Sequence, residues 1–499
     1  MGRTAYPAPK SPDYLHKPTS VADLVPGARQ AVARRAGRGA LGLVETEDQG
    51  LLLVPPPPIQ DALAVQAVRE AYKERGMHVT VVEEDEIGLI PPRDQLRALS
   101  AADGWKEIMW RPETTAMLHP DIQRQRPATL SEVGSGDPHA LKVFLDRYPK
   151  YTAVIAGIGG RPYWRWALEE HAPKFKENWV YTSHEALLSR ASSFPSDLLD
   201  LIEDKVLAWI TEAAEVRITD PQGTNVTVTV TEAEARHWAT EAKVTGHLFL
   251  LPAVENRAVA RPGDRVPPEH FGIPRVQGVI AGTGNHVGYY PHLIAHLEDG
   301  LVTRVEGGGL FGDLVREVLS RTKDAHYPHY PKPGYMFLVE LALGTNPKDF
   351  RNTVGLFESY FPMPNVGERN RAGVLHFGVG VHPLDTEIVA FAAERGLPHE
   401  HGWHVHTYFT TYEVRLRSGE WLTVMDQGHL TALDDPEVRA LAERYGDPDA
   451  LLREDWVPAI PGINHPGDYQ RDYGRDPATW IRNELEGRLP ATVGVPQPS

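Results

Sequence analysis

The hydrophobic pattern changes character near the middle of the chain. Ahead of that point, short apolar runs alternate with helix-period stretches. The run Leu51–Val54 ends in four prolines, Asp61–Arg75 carries apolar residues at helical spacing, and Gly76 stops it before the strand-like His78–Val82. Tyr151–Ile158, Tyr163–His171 and Trp179–Thr182 repeat the strand, helix, strand order. Gly157-Ile158-Gly159-Gly160 lacks the spacing of a dinucleotide loop and reads as a strand-to-helix turn. Pro195–Glu215 places Leu198, Leu201, Ile202, Val206, Trp209 and Ile210 on one helical face, with Ser196 and Asp197 as caps, and predicts a long amphipathic helix packed on this first half.

Beyond it the period becomes two. Val216-Arg217-Ile218 and the alternating Val226, Val228 and Val230 flank the turn residues Asp220-Pro221-Gln222-Gly223, which is hairpin grammar. Glu413–Leu416 and Trp421–Val424 form another such pair around Ser418-Gly419-Glu420. The reading is therefore an α/β N-terminal domain followed by a β-rich α+β domain. Its boundaries are an arm over residues 1–20, the α/β domain over 21–215, the β-rich catalytic domain over 216–430 and a C-terminal extension over 431–499. The extension carries Trp456, Tyr469, Tyr473 and Trp480 among its prolines, a composition suited to covering the cleft or a neighbouring subunit.

Composition narrows the chemistry. With 499 residues, 41% of them hydrophobic and 24% charged, the chain can bury real cores. A net charge of −16 repels phosphate backbones and anionic lipid, so neither nucleic acid nor membrane is the expected partner. No apolar stretch has the length of a signal core or a membrane span, and the cytoplasm is the default expectation. There is no cysteine, which leaves histidine and carboxylate as the strong metal ligands.

Fifteen of the 22 histidines follow residue 240, several in tight sets. His404 and His406 share one face of any strand that holds both, the geometry two ligands to one cation need. His399 and His401 have the same spacing but stand between Pro398 and Gly402, and read as loop residues. Glu340 lies between the apolar triplets Phe337-Leu338-Val339 and Leu341-Ala342-Leu343, where an unpaired carboxylate is costly to bury, so a ligand role competes with a structural ion pair. His376 sits in a similar apolar run, where a hydrogen-bonded core histidine is the alternative. In Asn285-His286-Val287-Gly288-Tyr289-Tyr290-Pro291-His292, the residues His286, His292 and Tyr289 are acid/base candidates that could stand over a bound aromatic.

Five segments in order carry a resemblance: Asp220-Pro221-x-Gly223-Thr224-Asn225, Gly246-His247-Leu248-Phe249-x-x-Pro252, Glu340-x-Ala342-Leu343-Gly344-x-Asn346-Pro347, Leu375-His376-Phe377-Gly378-x-Gly380 and His404-x-His406. The series resembles that of the thermophilic metalloprotease family of aminopeptidase T and its relatives, the 2,5-dihydroxypyridine dioxygenases. The resemblance covers roughly residues 20–430 and implies a metal site. Glu340 and His376 fall on ligand positions of the peptidases, His247 replaces a glutamate, and the expected aspartate of an H-x-D pair is absent in either register of His404 and His406.

Two close divalent ions need several carboxylates to neutralise them, so these losses point to one metal. The candidate ligands are His247, Glu340, His376, His404 and His406, with His247 equally a ligand or an outer hydrogen-bond donor. One carboxylate with neutral imidazoles resembles a ferrous site with open positions, so Fe(II) is favoured over Zn, Co or Mn. The leading expectation is a dioxygenase-like enzyme for a small polar, N-heteroaromatic substrate. Its rivals are a metallo-aminopeptidase or other metal-assisted hydrolase, and a non-catalytic descendant. A homo-oligomer is expected by the same resemblance.

Overall fold

The computed structural model describes residues 5–11, 18–33, 49–54, 60–83, 86–87, 138–156, 176–180, 182–191, 193–241, 243–244, 247–251, 275–285, 288–351, 366–381, 386–398 and 401–485. Two sheets organise them. Strands β1 (Gln49–Val54), β2 (His78–Glu83), β3 (Ala153–Ala156) and β4 (Lys176–Trp179) form a parallel sheet in the order β2-β1-β3-β4. From Gly50 onward β1 is entirely buried, because helices cover both faces of a parallel sheet. The helices Val21–Ala33 and Ala62–Glu74 bury Leu24, Ala28, Val65, Val68 and Tyr72 with Leu52 and Val54, while Leu145 and Tyr151 pack with Leu51 and Leu53.

Asp61 caps the second helix by accepting from the amide of Ala64, and Gly76, at φ +79°, ends the turn that leads into β2. The strand expected at Trp179–Thr182 runs earlier, over Lys176–Trp179. The Gly157–Gly160 turn and the helix expected at Tyr163–His171 lie outside the described residues.

The C-terminal half is built on a large antiparallel sheet. Its strands are β5 (Ala213–Thr219), β6 (Asn225–Thr229), β7 (Lys243–Val244), β8 (His247–Phe249), β9 (Val276–Gly284), β10 (Tyr289–Glu298), β11 (Leu301–Gly307), β12 (Phe337–Gly344), β13 (Leu375–Gly380), β14 (His401–Thr407), β15 (Thr411–Leu416), β16 (Trp421–Asp426) and β17 (His429–Leu430). The order is β14-β13-β12-β11-β10-β9-β6-β5-β15-β16-β17, with β8 paired to β12 and β7 to β8. Both expected hairpins form: Thr219 pairs with Asn225 across Gly223, and Arg415 with Trp421 across Gly419.

The sheet curls until its terminal strand β14 lies against β9. A side chain at Gly282 would fall 2.5 Å from Cγ1 of Val405, so the close approach needs glycine there. The Tyr290 hydroxyl, 3.3 Å from the carbonyl of Gly284 and 3.2 Å from that of His404, fastens the seam. Curling also lets the short link after β14 carry the chain to β15, deep inside the strand order.

Two sequence readings need correction. The amphipathic helix ends at Thr211, since β5 already begins at Ala213. It buries Leu198, Ile202, Val206 and Ile210 in the core of the large sheet with Val216, Ile218 and Tyr412, not against the first sheet. His401 is strand, not loop, and pairs with Gly380 past a register shift; His399 lies outside the described residues.

Candidate functional site

The site grows from strand register. Across β12, β13 and β14, one ladder row reads Glu340, Gly378, His404 and the next reads Ala342, His376, His406. Residues two apart on a strand share a face, so all four ionisable side chains emerge on one side of three neighbouring strands. His376 donates Nε2–H to Oε1 of Glu340 at 2.6 Å, and His404 donates Nε2–H to Oε2 at 2.9 Å. A single carboxylate thus bridges two imidazoles whose centroids lie 5.9 Å apart. Glu340 is 3% exposed and His376 fully buried; burial pushes the His376 imidazolium down to about 3 although Glu340 opposes it, so the ring is neutral.

Gly378 makes this convergence possible. A Cβ on Gly378 would stand 2.8 Å from Cβ of Glu340 and 2.9 Å from both Oε2 of Glu340 and Nε2 of His404. Its missing side chain opens the floor on which the carboxylate and ring meet. The donors there are carboxylate oxygen and imidazole nitrogen without sulfur, the types a borderline divalent cation takes. Among the described residues no group of three or more His, Asp and Glu side chains is placed to hold a metal ion. The carboxylate and the two rings contact one another directly.

His406 stands beside the trio, its ring centroid 5.8 Å from that of His376, but turns toward a second acid. Nδ1–H of His406 donates to Oε1 of Glu368 at 2.6 Å, and the Tyr408 hydroxyl donates to the same oxygen at 2.8 Å. Oε2 accepts from the Tyr289 hydroxyl and from Nε of Arg351, both at 2.8 Å. Burial pushes the Glu368 carboxyl up, yet the Arg351 guanidinium and the His406 bond outweigh it and hold it at about 2. The Arg351 guanidinium carbon lies over Trp456 at 4.6 Å and over Tyr289 at 4.8 Å, which compensates for its lost hydration.

The predicted site residues divide accordingly. Glu340, His376 and His404 come together, and His406 and Tyr289 meet on Glu368. The backbone of His247 stands opposite Gly344 at the end of β12; the contacts of its side chain are outside the described residues, as is all of His286. His292 is not part of the cluster: Nε2–H donates to the carbonyl of Gln222 at 2.7 Å, and Tyr469 packs edge-on at 5.4 Å.

Glu368, Arg351 and Tyr408 were missed. Val366-Gly367-Glu368-Arg369-Asn370 reads as an exposed charged turn, and nothing local marks Glu368 as buried.

No family model matches the chain, and no curated protein matches it. Among solved structures it is similar to a 2,5-dihydroxypyridine dioxygenase from Pseudomonas putida KT2440, at 13% identity over 85% of this chain and 100% of that chain, with a TM-score of 0.41. The functional reading stands on the geometry of the site.

Proposed function

We propose that this chain is a metal-dependent enzyme whose single divalent cation, ferrous iron in preference to zinc, cobalt or manganese, is held by Glu340, His376 and His404. His406 stands next to them as a further nitrogen donor. The reaction class is that of a dioxygenase-like oxidoreductase acting on a small polar, N-heteroaromatic substrate. The observation that carries this reading is the one carboxylate with an imidazole on each oxygen, assembled from three adjacent strands over Gly378. One carboxylate with two imidazoles is a donor set that leaves positions open on iron, where the metal would supply binding of O₂ and of a chelating substrate.

The chain's own residues do the rest. Glu340 fixes both rings, and burial of the trio excludes bulk water. A two-metal hydrolase would need further carboxylates. Glu368, a second carboxylate that reaches this region among the described residues, is already engaged by Arg351, Tyr289, Tyr408 and His406. The expected partner is a small molecule, and a homo-oligomer remains part of the proposal.

Elemental analysis after anaerobic purification, with O₂ uptake on a dihydroxypyridine, tests the reading. Iron near one per chain and O₂ consumption that disappears in Glu340→Ala are expected. Two zinc ions per chain with release of N-terminal residues from peptides would reject it.

A further inference from the structure

His429, on β17, has a carboxylate at each ring nitrogen. Nδ1–H donates to Oε1 of Glu454 and Nε2–H to Oδ2 of Asp434, both at 2.9 Å. A neutral imidazole has one N–H and can serve one carboxylate, so the ring that fits between two ionised acids is the imidazolium. The Asp434 side chain is exposed, where a carboxylate is ionised at neutral pH. Burial pushes the Glu454 carboxyl up, but the His429 bond and the Arg371 charge outweigh it and hold the group below the usual carboxylate range.

The two acceptors differ in place. Asp434 ends the short turn Thr431–Asp434 beside β17, whereas Glu454 lies in the C-terminal extension. Next to Glu454, Asp455 meets Lys10, Arg190 and Lys348, and Trp456 lies over Arg351, covering its pair with Glu368. The other charges around the bridge are Asp426, opposite His429 in the hairpin register, Arg439 near Asp434, and Arg371 and Lys10 near Glu454. Lys348, lowered by burial to about 8, is the neighbouring group that also titrates.

We propose that the His429 imidazolium is a pH-sensitive latch: protonated, it ties residues 454–457 to β17 through Glu454; deprotonated, it serves a single carboxylate and the segment opens more often. A charge present only in the protonated ring stabilises the closed segment below the pH at which the ring loses its proton, and that contribution is lost above it.

Amide hydrogen exchange tests it. The amides of Asp455 and Val457 donate to the carbonyls of Pro347 and Lys10, so they exchange when this segment opens. Exchange in peptides covering residues 454–457 is compared between wild type and His429→Gln at equal pH, which cancels the intrinsic pH dependence of exchange and any titration of Lys348. At about pH 6 the variant should exchange about tenfold faster, as loss of a bond to a charged group implies, and the ratio should fall toward one by about pH 9. Long-range ¹H–¹⁵N spectra at neutral pH, with the variant supplying the assignment, should show both ring nitrogens of His429 protonated. A ratio that does not change with pH overturns the proposal, and so does a singly protonated ring at neutral pH. If His429→Gln does not fold, Glu454→Gln takes the charge from the buried acceptor instead and is held to the same pH-dependent ratio.

Discussion

At the scale of single residues, Gly378 decides whether the trio exists. Glycine is needed there because the space a Cβ would take is filled by Glu340 and His404. Gly378→Ala should cost roughly 1–3 kcal/mol, as overpacking of a tight site does, and should lower metal uptake along with stability. Denaturant midpoints and metal content measure both; an alanine variant unchanged in either means the two strands part more easily than their register implies.

Glu340 was legible in the sequence because three apolar residues on each side leave a charge nowhere to go but a partner. Glu368 was not, since no apolar run encloses it in sequence and its partners Tyr289, Arg351 and Tyr408 come from other segments of the chain. Fold recognition from local pattern has no access to such long-range compensation.

Elements were legible where a period or a turn signal defines them. The spacing of His404 and His406 gave their shared face, and both hairpins followed from glycine-bearing turns between alternating valines or their equivalents. The partner of an element was less accessible. The helix Ser196–Thr211 shows its apolar face in sequence but not which sheet receives it.

The turn between β5 and β6 also reaches the strand that carries the histidines. Asp220 accepts from the Gln222 amide within the turn and from the Phe409 amide just after β14, at 2.9 and 3.0 Å. Burial outweighs these bonds and raises its carboxyl from 3.8 to about 6. A raised acid binds more protons folded than unfolded between those values, so stability is lost as pH rises from about 4 to about 6. The stability difference between the wild type and Asp220→Asn should therefore shift against the wild type by roughly 2–3 kcal/mol across that interval. A difference that stays flat with pH would mean the carboxylate is better solvated than its burial indicates.

At the scale of the whole molecule, the N-terminal arm pairs with the C-terminal segment. Lys10 and Val457 exchange backbone hydrogen bonds at 2.9 and 2.8 Å, Asn464 donates to the carbonyl of Pro7, and Tyr6 packs on Phe409. Arg190 reaches Asp455 from the segment ahead of the long helix, through a 2.8 Å bond from Nε and a second from Nη2. The C-terminal segment thus covers its own chain: Trp456 lies over Arg351, and Tyr473 meets Thr283 on β9. Composition had shown a covering segment without showing what it covers, because nearly the whole sequence separates the arm from its partners.

All of these layers serve one convergence of oxygen and nitrogen, and cation stoichiometry is its most direct test. Co(II) titrated into metal-free protein should saturate at one ion per chain, with Glu340→Ala and His376→Ala each abolishing the d–d absorption of the bound ion. Uptake that survives both substitutions, or no saturable uptake by the wild type, would contradict the account.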